Sequence, residues 1–220
     1  MTENYKIVEK LNVEELGTMN VSQTAKAEFY AHFASSQTTS AAACFIADFT
    51  GSGALKDKID GVLSTFIQKS HQDDPRDNAQ KEFVWIHIRI SLPNAEFDEP
   101  RWHQDGLYMR LDPGTGDKVR NKYCLTILGP GTMFKEQTPA LEEYASMGKL
   151  QGERSQIAKE MEKFDSYSSS TGEVVRCTWK RTPEDFANVH SEPPHTEDRV
   201  FLAAVFMSEG EQEDLLAGRK

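Results

Sequence analysis

Residues 83–92 have the sequence FVWIHIRISL, and this stretch decides the class of the fold. Apolar side chains alternate here with polar or aromatic ones; the first set is Val84, Ile86, Ile88 and Ile90, the second Trp85, His87 and Arg89. Successive side chains of a strand point to opposite faces of the sheet. The alternation therefore predicts a β-strand with one face in the core.

More strand patterns follow downstream and surround one helical stretch. The further predicted strands are Trp102–Leu111, Tyr123–Leu128, Glu173–Lys180, Phe186–His190 and Arg199–Met207. Residues 139–164 are rich in Glu, Lys, Ala, Leu and Met and are predicted to be helical, within an insertion at 139–172. Short strands with helices at one end indicate a β-sandwich or a jelly roll. The charged insertion is expected to be either a solvated face or a lid.

The region before residue 83 has mixed patterns. We predict a short helix at 24–33, a small-residue linker at 35–43, a short strand at 43–49, and a helix that follows Ser52. The expected organisation is a helical or mixed extension at 1–82 that packs on the sheet. Residues 83–220 would then form the catalytic core with its insertion.

Composition limits the classes of partner. The chain has 220 residues and a net charge of −10, which argues against nucleic acid as the main partner. No run approaches the ~18 apolar residues of a membrane-spanning helix, so we expect no membrane partner. The cysteines Cys44, Cys124 and Cys177 are odd in number and far apart, which favours reduced thiols in a cytoplasmic protein. The oligomeric state cannot be predicted from these features.

The histidines supply the first chemical signal. Four of the six have a carboxylate two residues later: His71/Asp73, His103/Asp105, His190/Glu192 and His195/Glu197. On a strand this spacing puts both side chains on one face. Two histidines and one carboxylate on one side of a metal leave open positions, as in non-haem iron oxygenases. His71 lies at the end of a predicted helix, so the apolar, aromatic setting of His103 and Asp105 is preferred.

Arg199 supplies the second signal, because it opens the apolar strand RVFLAAVFM. An arginine in such a strand is costly to bury unless an anion meets it. If it points inward, its guanidinium suits a dicarboxylate cosubstrate through a bidentate pair.

Together these residues resemble the iron- and 2-oxoglutarate-dependent oxygenases, whose fold is a double-stranded β-helix, the cupin-like jelly roll. The resemblance covers about residues 83–207 and implies a mainly β fold with flanking helices (α+β). It implies Fe(II) held by His103, Asp105 and His190, and 2-oxoglutarate held by Arg199. It also places the strand of Tyr123 and Thr126 where relatives often give the cosubstrate a second contact. His195 is the competing candidate for the second histidine ligand.

The substrate pocket is predicted less sharply. Trp102, Tyr108, His87 and Arg89 are expected to line it, although core packing explains the aromatic pair equally well. The expected activity is oxidation, with hydroxylation preferred, of a small molecule or a peptide side chain. Two alternatives stay open. One is a cupin-like iron enzyme without 2-oxoglutarate, which the absence of a serine at position 201 favours. The other is a non-catalytic jelly-roll binding module.

Overall fold

The architecture was analysed in a computed structural model, which describes residues 5–95, 98–106, 120–179 and 187–217. Two antiparallel sheets dominate it. The strands are β1 (Tyr5–Lys10), β2 (Ala25–His32), β3 (Phe83–Ser91), β4 (His103–Gln104), β5 (Arg120–Leu128), β6 (Met133–Lys135), β7 (Ser166–Ser168), β8 (Glu173–Trp179), β9 (Val189–Ser191) and β10 (Arg199–Met207). The helices are α1 (Ser36–Phe49), α2 (Lys56–Asp73), α3 (Pro139–Ser146), α4 (Arg154–Met161) and α5 (Glu209–Ala217).

The strand order confirms the predicted jelly roll. One sheet has the order β1-β8-β5-β10-β3-β2, and the other has the order β4-β9-β6-β7. From β3 to β10 the chain crosses repeatedly between the two sheets, which is the winding of a double-stranded β-helix. The fold is thus mainly β with flanking helices.

Strand β10 shows why this sequence takes a central position. All nine of its residues are buried, as expected for a strand covered on both faces. Val200, Leu202, Ala204 and Phe206 belong to the large core beneath the helices, whereas Phe201 and Ala203 belong to the core between the sheets. Arg199 has the parity of Phe201, so it faces the space between the sheets.

The N-terminal segment differs from the sequence-based expectation in two places. Residues 25–32 form β2 rather than a helix, and they pair with β3 along its whole length. Residues 43–49 belong to α1 rather than to a strand. Both stretches are short and apolar on one side, so tertiary pairing decides between the two conformations. Strands β1 and β2 are the outer strands of the larger sheet.

Helices cover the outward face of each sheet. Helices α1 and α2 bury Ile46, Leu63 and Phe66 in the core cluster that also contains Ile86 and Leu202 of the larger sheet. Helices α3 and α4, which confirm the predicted helical insertion, bury Leu141, Ile157 and Met161 against the smaller sheet. The space between the sheets is left to polar side chains at one end. Among the described residues, no helix is long and apolar enough to cross a membrane.

Candidate metal centre

Pairing between β4 and β9 brings two of the predicted ligands together. His103 is the register partner of His190, and their ring centroids lie 4.4 Å apart. Asp105 follows β4 by one residue; its Oδ1 lies 3.5 Å from Nε2 of His103 and its Oδ2 lies 3.3 Å from Nε2 of His190. The three side chains offer ligand atoms that all lie within 4.8 Å of one another. The geometry is that of a site able to hold a metal ion.

Backbone carbonyls fix the orientation of both imidazoles. Nδ1 of His103 lies 2.8 Å from the carbonyl oxygen of Arg101, and Nδ1 of His190 lies 3.0 Å from that of Asn188. A carbonyl only accepts hydrogen bonds, so each Nδ1 carries a proton, and in the neutral ring Nε2 then has the lone pair. Both Nε2 atoms face the carboxylate of Asp105. Such outer hydrogen bonds are the usual means of orienting metal-binding histidines.

The charge states of the ligands also suit a cation. Burial opposes ionisation of Asp105, but Lys122 and His190 outweigh it and hold the pKa of this carboxyl well below its usual range. Burial lowers the pKa of His190, which favours the neutral ring. Two imidazole nitrogens and one carboxylate oxygen form a donor set that fits Fe(II) and related divalent ions.

Lys122 is a member of the site that the sequence analysis did not select. It projects from β5, and its Nζ donates a hydrogen bond to Oδ2 of Asp105. Burial opposes its charge, yet Asp105 raises the pKa of Lys122 above its usual value. The available signal was a single lysine one position before Tyr123, in a strand whose next same-face residues are Cys124 and Thr126.

Arg199 lies nearby as a buried cation. Its Nε donates to the carbonyl oxygen of Pro130 at 2.9 Å, and its Nη2 lies 3.4 Å from Oγ1 of Thr132. The guanidinium stacks over the ring of Phe201 at 4.7 Å. Burial lowers the pKa of Arg199 to about 10. Within the described ranges no carboxylate forms an ion pair with it, so the group can receive an anionic ligand.

A tight loop supplies the two contacts to Arg199. A Cβ atom on Gly131 would lie 1.9 Å from the carbonyl oxygen of Ser169, so only glycine fits this close approach. Gly129 has φ of +78°, in the left-handed region that favours glycine. The Gly-Pro-Gly-Thr sequence therefore places the Pro130 carbonyl and the Thr132 hydroxyl beside the guanidinium.

These groups line one cavity of about 240 Å³ between the sheets. Its described lining consists of His87, Arg89, Arg101, His103, Asp105, Lys122, Cys124, Thr132, His190, Glu192, Arg199 and Phe201. Four of these residues are cations and two are carboxylates. The cavity therefore carries a surplus of positive charge, which attracts small anions even though the whole chain is acidic.

A cluster of two arginines and one glutamate lies on the more exposed side of the cavity. Nη1 of Arg89 and Nη2 of Arg101 each lie 2.8 Å from the same Oε1 atom of Glu192. The arginine side chains are 43% and 48% exposed, whereas Glu192 is 11% exposed. Burial opposes the charge of Glu192, but Arg101 and its neighbours lower the pKa of the carboxyl to about 2.

The predicted pocket residues divide into two groups. His87 and Arg89 line the cavity, and burial lowers the pKa of His87 to about 4. Trp102 does not line it. Its side chain lies in the core beneath α3 and α4, with Nζ of Lys135 4.5 Å from its ring, because it precedes His103 and so faces the opposite side of β4. Tyr108 lies outside the described residues.

The predicted second contacts of the cosubstrate also require correction. Tyr123 faces the helices, where its hydroxyl lies 3.2 Å from Oδ2 of Asp73. Its neighbour Lys122 takes the inward position instead, because adjacent strand residues face opposite sides. Thr126 is buried on the inward face but is not part of the cavity lining. Thr132 holds the position beside Arg199.

The competing histidines lie elsewhere. His195 forms an isolated bridge with Asn94 and is not part of the three-ligand group. His71 stacks on Phe33 with ring centroids 3.7 Å apart, and Asp73 forms ion pairs with Lys6 and Arg176. The His71/Asp73 pair therefore takes part in packing and ion pairing at the end of α2.

Comparisons with known proteins add a likeness of fold. No model of a protein family matches the chain, and no curated protein matches its sequence. Among solved structures, a prolyl-4-hydroxylase from Pseudomonas putida shares 14% identity with a TM-score of 0.41, covering 90% of this chain and 93% of that one.

Two further solved structures are similar at the same level. The 2-oxoglutarate complex of a dioxygenase for auxin oxidation from Arabidopsis thaliana gives 7% identity and a TM-score of 0.45, covering 89% of this chain and 71% of that one. A viral collagen prolyl hydroxylase from Paramecium Bursaria Chlorella virus-1, also bound to 2-oxoglutarate, gives 10% identity and a TM-score of 0.41, covering 94% and 97%. At such low identities and TM-scores the likeness does not establish what this chain does.

Proposed function

We propose that this chain is a non-haem Fe(II)- and 2-oxoglutarate-dependent oxygenase. Its substrate would be a small molecule or a peptide side chain, and the proposed form of oxidation is hydroxylation. The observation that carries the proposal is one cavity with two features. It holds a His-Asp-His group with both Nε2 atoms directed at the carboxylate, and a buried arginine that has no carboxylate partner in the described structure.

In this proposal His103, Asp105 and His190 hold Fe(II). Three protein ligands leave further coordination positions for the cosubstrate and dioxygen. When bound, Fe(II) and 2-oxoglutarate supply the activation of dioxygen and the electrons for substrate oxidation. The chain itself keeps the imidazoles in the correct tautomer and holds Asp105 ionised beside Lys122.

Arg199 binds the distal carboxylate of 2-oxoglutarate in this proposal. A guanidinium matches a carboxylate through two parallel hydrogen bonds, and its position inside the jelly roll excludes competing water. The Pro130 carbonyl fixes Nε, and Thr132 offers a hydroxyl that can also donate to the incoming carboxylate. The surplus of cations in the cavity favours a ligand with two negative charges.

We also propose that residues 83–220 are the catalytic core and that 1–82 buttress the larger sheet, since β1 and β2 extend it and α1 and α2 cover it. A cytoplasmic location is inferred from the thiols: Cys44, Cys124 and Cys177 are all free.

The test starts with the wild-type protein, Fe(II) and 2-oxoglutarate without oxygen. We expect a visible charge-transfer band from the chelate, and slow succinate formation when air is added. Arg199→Gln should retain Fe(II) but should need at least about 30-fold more 2-oxoglutarate to reach half of the maximal band intensity. The reason is that a desolvated charge pair contributes about 2–5 kcal/mol to binding. Lys163→Gln, at an exposed site, is the control for loss of one cation.

The other outcomes assign the rival functions. An iron-loaded protein without band or succinate would refute the 2-oxoglutarate proposal and favour the cupin-like enzyme that uses iron alone. A protein that takes up no metal would favour the binding module.

A further inference from the structure

Arg89, Arg101 and Glu192 form a unit that binding of the metal and of the cosubstrate does not use; we call it the RRE cluster. Resting on the function proposed above, we propose that the RRE cluster binds the primary substrate, and that this substrate is a free α-amino acid. The two arginines receive its carboxylate, and Glu192 receives its ammonium group.

The position of the cluster places such a ligand beside the metal centre. Arg101 is two residues from His103, and the carbonyl oxygen of Arg101 accepts a hydrogen bond from Nδ1 of that histidine. Glu192 directly follows β9, two residues after His190, and both residues line the cavity. Arg89 lies on β3 and points into the same cavity. A molecule held by these groups is therefore adjacent to both imidazoles.

The charges of the cluster leave one positive charge uncompensated. Both guanidinium groups donate to a single oxygen, Oε1 of Glu192, at 2.8 Å each. Each guanidinium has further N–H donors, and 43% and 48% of the two side chains is exposed. Two arginines held by one shared acceptor are pre-organised for a second carboxylate.

The other oxygen of the glutamate indicates what accompanies that carboxylate. Oε2 of Glu192 is buried and has no hydrogen-bond partner among the described residues. A buried carboxylate oxygen without a donor is costly, and a ligand that brings an N–H donor removes the cost. An ammonium group next to a carboxylate, as in an α-amino acid, supplies both complements at once.

The size of the cavity supports a small occupant. Its described volume is about 240 Å³, below the roughly 300–1,000 Å³ of sites for drug-sized ligands. Because 2-oxoglutarate occupies part of this space at Arg199, the space that remains suits an amino acid rather than a folded partner.

The experiment uses the full chain with Fe(II) and 2-oxoglutarate and tests the twenty proteinogenic amino acids one at a time. We expect at least one of them to shift the anaerobic visible band and to raise succinate formation about tenfold or more. Its C-terminal amide and its N-acetyl derivative should each bind at least about tenfold more weakly, since each lacks one of the two charges.

Variants separate this site from the cosubstrate site. Arg101→Gln should raise the half-saturating concentration of the amino acid about tenfold or more, with a much smaller effect on 2-oxoglutarate, whereas Arg199→Gln should show the reverse. Glu192→Gln should weaken binding of the amino acid more than binding of the carboxylic acid that has the same side chain but no amino group. Lys163→Gln should change neither concentration.

Three results would overturn the inference. In the first, the visible band appears and succinate forms slowly, but no amino acid changes the band or the rate of succinate formation. In the second, a neutral peptide with blocked termini raises succinate formation, whereas free amino acids do not. In both cases the proposed oxygenase stands and only the substrate class fails. In the third, Arg101→Gln weakens the binding of 2-oxoglutarate as strongly as Arg199→Gln does, which would indicate that the RRE cluster binds the cosubstrate. Absence of any band or succinate would instead refute the oxygenase itself.

Discussion

Asp105 has two roles that a pair of substitutions can separate. It faces both imidazoles as a proposed metal ligand, and it also neutralises Lys122. Asp105→Asn keeps the shape of the side chain but removes its charge, which leaves a buried ammonium without its partner. The structure therefore predicts that this variant loses stability as well as metal, and that a second change at Lys122 restores the stability alone.

The magnitude follows from the burial of the pair. Breaking a fully buried ion pair costs about 3–5 kcal/mol, because the remaining charge is uncompensated. Here Asp105 is 22% exposed and Lys122 15% exposed, so water reaches part of the site. We expect a loss of about 2 kcal/mol for Asp105→Asn, equivalent to a fall in Tm of roughly 4–8 °C for a chain of this size.

The assay is urea unfolding of metal-free protein, together with Fe(II) titration. In the double variant Asp105→Asn/Lys122→Met the unpaired ammonium is gone, so most of the lost stability should return while Fe(II) binding stays absent. A double variant as unstable as Asp105→Asn alone would refute the ion-pair reasoning. Normal Fe(II) affinity in Asp105→Asn would refute the assignment of the ligand.

Three further predictions test the surroundings of the site. Gly131→Ala should weaken 2-oxoglutarate binding at least about tenfold, because the added Cβ meets Ser169 and displaces the groups that contact Arg199. The control Gly53→Ala, whose Cβ meets no neighbouring atom, should not weaken binding, and equal effects of the two variants on the visible charge-transfer band would contradict the prediction. Tyr123→Phe should lower the free energy of unfolding by about 1 kcal/mol through the lost bond to Asp73 and leave 2-oxoglutarate affinity unchanged. Burial lowers the pKa of His87 from 6.5 to about 4 on folding, so between these pH values the unfolded chain binds a proton that the folded chain does not, and stability should decrease as the pH falls from 6.5 to 4. In urea unfolding, His87→Gln should show a shallower decrease than the wild type, and an identical pH profile would contradict this role of His87.

The sequence predicted the site where a strand pattern determined the direction of a side chain. His87 and Arg89 alternate with buried isoleucines in β3, whereas Arg199 opens a strand whose other residues are all apolar. Alternation requires that His87 and Arg89 share one face, and the register between β10 and β3 puts Arg199 on that same face. Within the described residues the structure places all three in the cavity together with His103, Asp105 and His190.

The same rule explains the errors, since a side chain next to a correctly placed residue faces away from it. Trp102 precedes His103 and packs under the inserted helices, and Tyr123 follows Lys122 and packs under α2. Applied strictly to β5, alternation favoured Lys122 over Tyr123. The RRE cluster was not predictable in this way, because Arg101, Glu192 and Arg89 lie on three different segments and meet only in the folded chain.

The contrast between the whole chain and the cavity shows what net charge can and cannot exclude. The net charge of −10 governs long-range attraction, so it still argues against a nucleic-acid partner. Among the described residues, however, the cavity is lined by the cations Arg89, Arg101, Lys122 and Arg199 and by two carboxylates. A low-dielectric wall strengthens this local field, and its range is short because solvent ions screen it outside. Small anions that diffuse to the entrance are therefore bound by a site of opposite sign to the surface around it. This is the electrostatic condition that 2-oxoglutarate and an amino-acid carboxylate both require.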